Sequence, residues 1–358
     1  MSRLSPTAFV LPAALNLVTA LETCVAIASA GEAAEFVFDF GSVVHVEPFA
    51  MLLISSEIAA LRMRFPDASF VCRRHERMTY AAHMGFFQSF GVEFGKQPGQ
   101  AAGSSNYVPM TILDLEDIEH AAAQRARAIQ DEIEDQSRRL AEVLSKSDSG
   151  ALFDTLVYSM REIMRNVVEH SKSDRLGICA QYWPSKSRVE VAILDRGIGV
   201  RESIRHNPHI DASDHKSALN YALMPAVSGT AFKGARRQPK GPWVNSGFGL
   251  YMTNRICRNG GNFFIGSGDT GMLLTSKGEG KRYYPSNLVG TAVRMVIRTK
   301  EILSLDEALT TYRNEGYEIQ RRYAEIVSID PSAASLMLSR DFDLPLWERL
   351  LATVKGRA

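Results

Sequence analysis

Residues 189–200 read VEVAILDRGIGV. The first part is an apolar, β-prone run, which predicts a buried strand that ends at Asp195. A carboxylate at that position can accept a hydrogen bond from a ligand in a cleft. Gly197 and Gly199 follow with one residue between them, and glycine lets the backbone approach a flat ring without interference from a Cβ atom. Alone, the motif is equally typical of a tight turn after a strand.

A helix is predicted upstream, where residues 154–170 read DTLVYSMREIMRNVVEH. Its apolar residues recur at helical spacing and indicate one face packed on a core. Glu162 and Asn166 are four residues apart, so they lie on one flank of the helix. An amide oxygen there can ligate Mg²⁺, and a carboxylate can deprotonate an attacking hydroxyl or water. Such a pair is also common on ordinary helix surfaces.

Two more elements follow downstream. Residues 245–262 read NSGFGLYMTNRICRNGGN, in which Gly247 and Gly249 precede a helical run. A glycine-rich entry leaves the first N–H groups of a helix free to bind phosphate. Residues 290–297, GTAVRMVI, predict a last apolar strand that opens at Gly290 and Thr291, with the threonine hydroxyl beside the cleft.

In this order and spacing the four elements resemble the GHKL ATPase superfamily, which includes gyrase, heat-shock chaperones, histidine kinases and MutL. Its Bergerat fold binds ATP on a mixed sheet covered by helices. Glu162 and Asn166 resemble the N box of the family, Asp195-x-Gly197-x-Gly199 its first glycine box, and residues 247–250 the second. The resemblance covers residues 148–300.

The resemblance implies a role for each matching residue. Asp195 would bind the exocyclic amine of adenine with help from Thr291, Asn166 would hold Mg²⁺, and Glu162 would be the general base. The ATP-binding residues would be Asn166, Asp195, Gly197, Gly199, Lys233, Ser246, Gly247, Phe248, Gly249, Leu250 and Thr291.

Residues 201–246 would form a lid over ATP. Its central part, FKGARRQPKG, is basic and without acid, which suits a phosphate clamp as well as a solvated loop. Its cations are Lys233, Arg236, Arg237 and Lys240. Within the superfamily, EIMRNVVEHS at residues 162–171 most resembles the anti-sigma-factor and switch-protein serine kinases, in which a glutamate precedes the asparagine. The sequence has no phosphoacceptor helix of the H-E-x-x-x-P kind, so histidine autophosphorylation is not expected.

Residues 35–74, EFVFDFGSVVHVEPFAMLLISSEIAALRMRFPDASFVCRR, alternate strand and helix patterns. Short β-rich runs at 36–40 and 69–72 and helices at 47–64 and 80–90 predict parallel strands with crossover helices. The pattern resembles a STAS domain, the fold of the antagonists that such kinases phosphorylate. Where that family begins a helix with a phosphorylatable serine, this chain has Glu47, which implies a docking or scaffold version.

The chain divides into four segments by composition. We expect a STAS-like domain at 1–97, a linker and connector helix at 98–147, the ATP-binding domain at 148–300 and a helical tail at 301–358. The connector is a charged helix predicted from Asp114 to Lys146. Its thin apolar stripe suits a helical dimer contact or one side of a surface helix.

Composition narrows the class of protein. Of 358 residues, 41 are basic and 40 acidic, a net charge of +1, so no direct contact with nucleic acid is expected. Four widely spaced cysteines suit reduced thiols in the cytoplasm. The apolar run at 9–30 predicts an amphipathic helix more readily than a secretory signal, and no membrane span is expected.

The sequence thus predicts an α/β protein with ATP and Mg²⁺ as ligands. The leading function is a serine/threonine kinase or ATPase switch in a partner-switching regulatory system. Its protein partner would be a STAS-like or sigma-type regulator. The alternatives are a non-catalytic, nucleotide-gated binding module and an ATP-driven dimer clamp, which would make the chain a homodimer.

Overall fold

The computed structural model describes residues 5–101, 106–227, 247–276, 280–329 and 338. The first part of the chain alternates strands and helices, as the sequence predicts. The elements are β1 (Thr7–Val10), β2 (Ala14–Leu15), α1 (Leu17–Ala28), β3 (Glu35–Asp39), β4 (His45–Val46), α2 (Pro48–Arg64), β5 (Ser69–Arg73) and α3 (Thr79–His83).

A three-stranded parallel sheet forms one outer layer of this part. Strand β3 lies between β1 and β5, and both pairs are parallel. Parallel neighbours need a crossover connection, which α1 and α2 supply, so the predicted parallel strands are confirmed. The helix expected over residues 80–90 is wrong in length. It divides into α3 and a 3₁₀ turn, Gln88–Phe90, because Gly85 at φ +90° interrupts it.

The second part begins with a strand and continues through alternating helices and strands. The elements are β6 (Tyr107–Asp114), α4 (Leu115–Gln124), α5 (Ile129–Ser145), α6 (Ala151–Asn166), β7 (Arg175–Trp183), β8 (Arg188–Asp195), α7 (Gly199–Ile204), α8 (His215–Ala222), α9 (Gly249–Cys257), β9 (Asn262–Thr275), β10 (Lys281–Arg298) and α10 (Leu305–Ile329).

These strands form a second sheet in the order β6-β7-β8-β10-β9. Each neighbouring pair is antiparallel, so the expected mixed sheet is wrong for the described strands. For two of the pairs, β7–β8 and β9–β10, the reason is that the strands follow each other closely along the chain, and a short connection reverses the chain direction. The expected cover of helices is confirmed.

The single helix expected from Asp114 to Lys146 is also wrong. The chain forms α4 and α5 instead, with a break at residues 125–128. Ala126 has φ +50°, a conformation that ends a helix. The Asp131 side chain then accepts a hydrogen bond from the Ala128 N–H at 3.2 Å and caps α5.

The stretch 98–147 also contributes to the second sheet and its core. Its residues 107–114 form β6, an edge strand paired with β7. Helix α5 packs against α6 and β7, and its Ile133, Leu140 and Leu144 are buried in the core between the helices and the sheet. The predicted apolar stripe therefore faces the core of its own chain.

The two faces of the five-stranded sheet are covered by different parts of the chain. Helices α1 and α2 pack against β7, β8 and β10 on one face, and their core is shared with the parallel sheet. Helices α5, α6 and α9 cover the other face. Helix α2 is buried on almost every side, as its apolar sequence requires for a helix between two sheets.

A cluster of four charged side chains, three of them buried, lies where α2 begins. Glu47, the residue before α2, forms ion pairs at 3.1 Å with Arg188 and with Arg294. Glu190 on β8 pairs with the same two arginines, at 2.8 Å in the case of Arg294. The carboxylate that stands at the expected serine position is thus tied to the five-stranded sheet.

The C-terminal segment is helical as expected, over the range of α10. This helix packs on α9 and α6. No helix within the described ranges is both long enough and apolar enough to span a bilayer.

Candidate functional site

A cleft lies between α6, the end of β8 and the start of α9. It is open to solvent on one side, and its cavity volume is about 110 Å³, below the range of about 300–1,000 Å³ typical of sites for drug-sized ligands. Most of the predicted binding residues line it, although they are distant in sequence. They are Asn166, Asp195, Gly199, Gly247, Gly249, Leu250 and Thr291.

Asp195 is the buried acid of the cleft. It is the last residue of β8 and is 2% exposed. Its Oδ1 accepts a hydrogen bond from the Gly197 N–H at 2.8 Å, but none of the described cationic side chains forms an ion pair with it. Burial raises the pKa of this carboxyl to about 6, although hydrogen bonds from Gly197 and Thr291 oppose the shift. A buried carboxylate without a counter-charge is costly, which points to a ligand.

Thr291 lies directly opposite Asp195 in the β8–β10 pairing. Its expected place at the opening of the last strand is wrong, because it lies inside the 18-residue strand β10. The β9–β10 register shifts around this point, and Gly290 adopts φ +85°. A Cβ atom on Gly290 would lie 2.2 Å from the Asp195 carbonyl oxygen. Glycine is therefore required for the irregularity that holds Thr291 beside the acid.

Asn166 is the last residue of α6, after which the chain forms a π-helical turn, Val167–Ser171. Such turns are frequent at functional sites. The Ser171 carbonyl oxygen accepts a hydrogen bond from the Ile198 N–H at 2.7 Å. A Cβ atom on Gly197 would lie 2.0 Å from that oxygen. The loop after β8 therefore needs glycine to pack on the end of α6, and this contact places the amide and the buried acid on two sides of one cleft.

Glu162 lies one turn before Asn166, beside the start of α9 and outside the cleft lining. Its Oε1 is 3.2 Å from Arg161 Nη2 and 3.8 Å from Arg165 Nη1. Its Oε2 faces Gly249, where a Cβ atom would lie 2.1 Å from it. Two guanidinium groups thus engage one carboxylate oxygen, and the other faces the N-terminus of α9.

The start of α9 forms the opposite end of the cleft from Asp195. Gly247, Gly249 and Leu250 line it, so the N-terminus of α9, where a helix can bind an anion, borders the cleft. The ring of Phe248 packs instead on α10, 5.3 Å from the ring of Tyr317. Ser246 and the four cations of the predicted lid lie outside the described residues. These cations are Lys233, Arg236, Arg237 and Lys240.

Three polar residues that sequence reasoning missed also line the cleft, namely His170, Ser171 and Ser203. Burial lowers the pKa of the His170 imidazole, with Glu169 acting in the opposite direction. His170 lies four residues after Asn166, so helical spacing was a usable signal for it. Ser171 lies five residues after Asn166, within the π-helical turn, which α-helical spacing does not predict.

Ser267 on β9 was missed as well, and it supports the cleft from behind. Its hydroxyl accepts a hydrogen bond from the Val200 N–H at 3.0 Å and donates one to the Gly290 carbonyl oxygen at 2.7 Å. It thereby joins the loop after β8 to the irregular part of β10. No local pattern marks this serine, because strand pairing brings it there.

The donor set suits a ligand with an amine at one end and an anionic chain at the other. Asp195 can accept from the amine. The Asn166 side chain makes no hydrogen bond with another described residue, and an amide oxygen can ligate a hard cation. The α9 N-terminus can bind the anion.

Comparison of the chain with protein-family models, with curated proteins and with solved structures gave no match.

Proposed function

We propose that the chain binds ATP with Mg²⁺ in this cleft and works as a GHKL-type serine/threonine kinase or ATPase switch. The observation that carries the proposal is the buried Asp195 carboxylate, which lacks a counter-charge in the described part of the chain. The exocyclic amine of adenine would donate the missing hydrogen bond, and Thr291 would assist from the opposite strand. A ligand that satisfies this acid recovers part of its desolvation cost.

The opposite end of the cleft supports the same ligand. The N–H groups of residues 247–249 would bind the phosphates, and Asn166 would hold Mg²⁺ through its amide oxygen. The metal would neutralise charge on the phosphates.

In the kinase version, Glu162 accepts the proton of a partner's serine or threonine hydroxyl. The hydroxyl oxygen attacks the γ-phosphorus, the bond to the bridging oxygen breaks, and ADP leaves. A STAS-like or sigma-type regulator as partner is an argument by analogy. The parallel sheet supports a STAS-like N-terminal domain, and the buried ion pairs of Glu47 support one that is not phosphorylated at this position. The four unpaired cysteines are consistent with action in the cytoplasm.

The position of Glu162 favours a second candidate, a nucleotide-gated binding module without catalysis. Its Oε1 is engaged by two arginines and its Oε2 lies against the α9 N-terminus. In that case ATP would change the surface offered to a partner, and turnover would be slow or absent.

Calorimetric titration of MgATP tests the proposal. We expect the wild type to bind and Asp195→Asn to bind about 100-fold more weakly, since a lost charge-assisted hydrogen bond is worth about 3 kcal/mol. Asp117→Asn is the matched control, because it removes an exposed carboxylate on α4 and should leave affinity unchanged. Unchanged heat for Asp195→Asn would contradict the adenine assignment.

Labelled ATP separates the two candidates with the same proteins. If Glu162 is the base, Glu162→Gln should bind ATP normally and lose about 100-fold or more in phosphate transfer or release. Wild type that binds ATP but shows no more turnover than Glu162→Gln would favour the non-catalytic module.

A further inference from the structure

Arg196 stands between the buried acid and the first glycine of the loop after β8, and its side chain points away from the cleft. Its Nη1 donates to Glu57 Oε1 at 2.8 Å and to Ser56 Oγ at 3.0 Å, and it lies 3.3 Å from the Ser56 carbonyl oxygen. Glu57 and Ser56 belong to α2. The loop that presents Asp195 to the cleft is therefore bonded to the N-terminal part of the chain.

The anchor for Arg196 is rigid and buried. The Glu57 side chain is 6% exposed, and α2 is enclosed by both sheets. The start of the same helix is held to β8, because the Phe49 N–H donates to Glu190 Oε1 at 3.3 Å. A buried carboxylate whose cation is removed is strongly destabilising, so the Arg196–Glu57 pair restricts where the loop can lie.

We propose that Arg196 is a positioning residue, through which the N-terminal part of the chain holds the Asp195 loop ready to bind a purine. The identity of the purine ligand rests on the proposed function. The contact makes nucleotide affinity depend on α2. By thermodynamic reciprocity, nucleotide binding strengthens the contact between the N-terminal part and the five-stranded sheet by the same factor.

The effect of Arg196 is confined to one end of the cleft. Helix α2 packs on β7 and β8 from one face of the five-stranded sheet, whereas α9, which would offer N–H groups to phosphates, packs on β9, β10, α6 and α10 from the other face. Loosening the Asp195 loop therefore weakens purine recognition and leaves phosphate binding unchanged. A role in overall folding alone would lower both.

Calorimetry with MgATP and with magnesium tripolyphosphate tests this separation. Arg196→Met and Glu57→Gln should each weaken MgATP binding about tenfold and leave tripolyphosphate unchanged, since couplings between sites are typically 5–150-fold. The double variant should be no weaker than the stronger single variant, because the two residues form one interaction. Arg196→Lys should recover part of the affinity, and Ser56→Ala provides a milder change if Arg196→Met folds poorly.

Arg125→Met is the matched control. Arg125 pairs with Glu132 at 2.6 Å, and that glutamate is also 6% exposed, but the pair joins α4 and α5 away from the cleft. This variant should keep the wild-type affinity for both ligands.

Hydrogen exchange of the amides of residues 197–200 in ligand-free protein gives a readout that needs no nucleotide. Arg196→Met and Glu57→Gln should raise exchange there and leave the amides of α9 unchanged. If the wild type binds no ATP but exchange rises, the proposed function fails and the positioning role stands. The positioning role is overturned if the wild type binds ATP and the variants keep both its ATP affinity and its exchange rates. It is also overturned if the variants lose affinity for tripolyphosphate by the same factor as for MgATP.

Discussion

Strand β8 carries two buried carboxylates that are satisfied in opposite ways. Glu190 is 0% exposed and faces α2, where Arg188 and Arg294 pair with it. Asp195 is 2% exposed and faces the cleft, where it receives hydrogen bonds but no ion pair from the described residues. Five positions separate them, an odd number, so the strand turns them to opposite faces. One strand thus joins the two parts of the chain and leaves one charge for a ligand.

The surroundings of the two acids differ in net charge. On the α2 face, two carboxylates meet two guanidinium groups. Burial alone would lower the pKa of Arg294, but attraction to Glu190 and Glu47 outweighs it and raises that pKa. On the cleft face, burial raises the pKa of Asp195 to about 6 because no cation opposes it. The first arrangement compensates the buried charges within the protein, and the second leaves a buried charge uncompensated, which reduces the stability of the ligand-free protein.

The largest effect expected from this difference is the decrease in the free energy of unfolding when Arg294 is replaced. Arg294→Met leaves Glu190 and Glu47 with too little buried positive charge, and breaking a buried pair costs about 3–5 kcal/mol. The free energy of unfolding, from urea denaturation at pH 7.5, should fall by that amount. Arg298→Met is the control, because Arg298 on the same strand is exposed and donates only to the Lys186 carbonyl oxygen at 3.0 Å. A loss below about 1 kcal/mol for Arg294→Met would show that the cluster is not stabilising.

Local patterns marked several of the polar and glycine residues that border the cleft. Helical spacing placed Glu162 and Asn166 on one flank of α6, and a run of apolar residues that ends at an acid located the end of β8. Glycines marked the start of α9. Each signal lies within about a dozen residues, which is the range over which hydrophobic period and turn chemistry are informative.

Features that depend on distant contacts were not predictable. Glu47 was recognised as a replacement for serine, but its contact with Arg294 spans 247 residues and leaves no local pattern. The Ser267 support and the mid-strand position of Thr291 depend on strand pairing in the same way. One signal in the sequence indicated the division of the helix at residues 125–128. It was the 11-residue gap in the apolar stripe between Ile118 and Ile129, but a continuous surface helix accounted for that gap equally well.

The next largest effect is on the free energy of unfolding when each acid is replaced by its amide. The change should have opposite signs at Asp195 and Glu190. The pKa of Asp195 rises from 3.8 to about 6 on folding, so ionising it costs about 3 kcal/mol more in the folded chain than in the unfolded one. This penalty begins as the pH rises through the unfolded pKa of 3.8 and is nearly complete above pH 6. In ligand-free protein at pH 7.5, Asp195→Asn should raise the free energy of unfolding by up to about 3 kcal/mol, and at pH 4 by only about 0.5 kcal/mol. Glu190→Gln should lower it at pH 7.5, because the buried Arg294 and the partly buried Arg188 lose a partner.

Urea denaturation of both variants at the two pH values measures this contrast. Asn keeps an oxygen that can accept from the Gly197 N–H, so the substitution removes the charge and retains the hydrogen bond. Destabilisation by Asp195→Asn at pH 7.5 would mean that the carboxylate is satisfied inside the protein, and the argument for a ligand at this position would fail.

The smallest effect concerns the pH dependence of nucleotide binding. In the proposed complex, adenine donates to an ionised Asp195, and at pH 5 only about one tenth of a group with a pKa near 6 is ionised. Purine riboside triphosphate is the control nucleotide, because it has the same triphosphate and lacks the amine. Between pH 7.5 and pH 5 the affinity for MgATP should therefore fall about tenfold more than the affinity for this control. Asp195→Asn should show no difference between the two nucleotides in this respect. An equal fall for both nucleotides with wild-type protein would place the titrating group at the phosphate end of the cleft, and Asp195 would then lose its assigned partner.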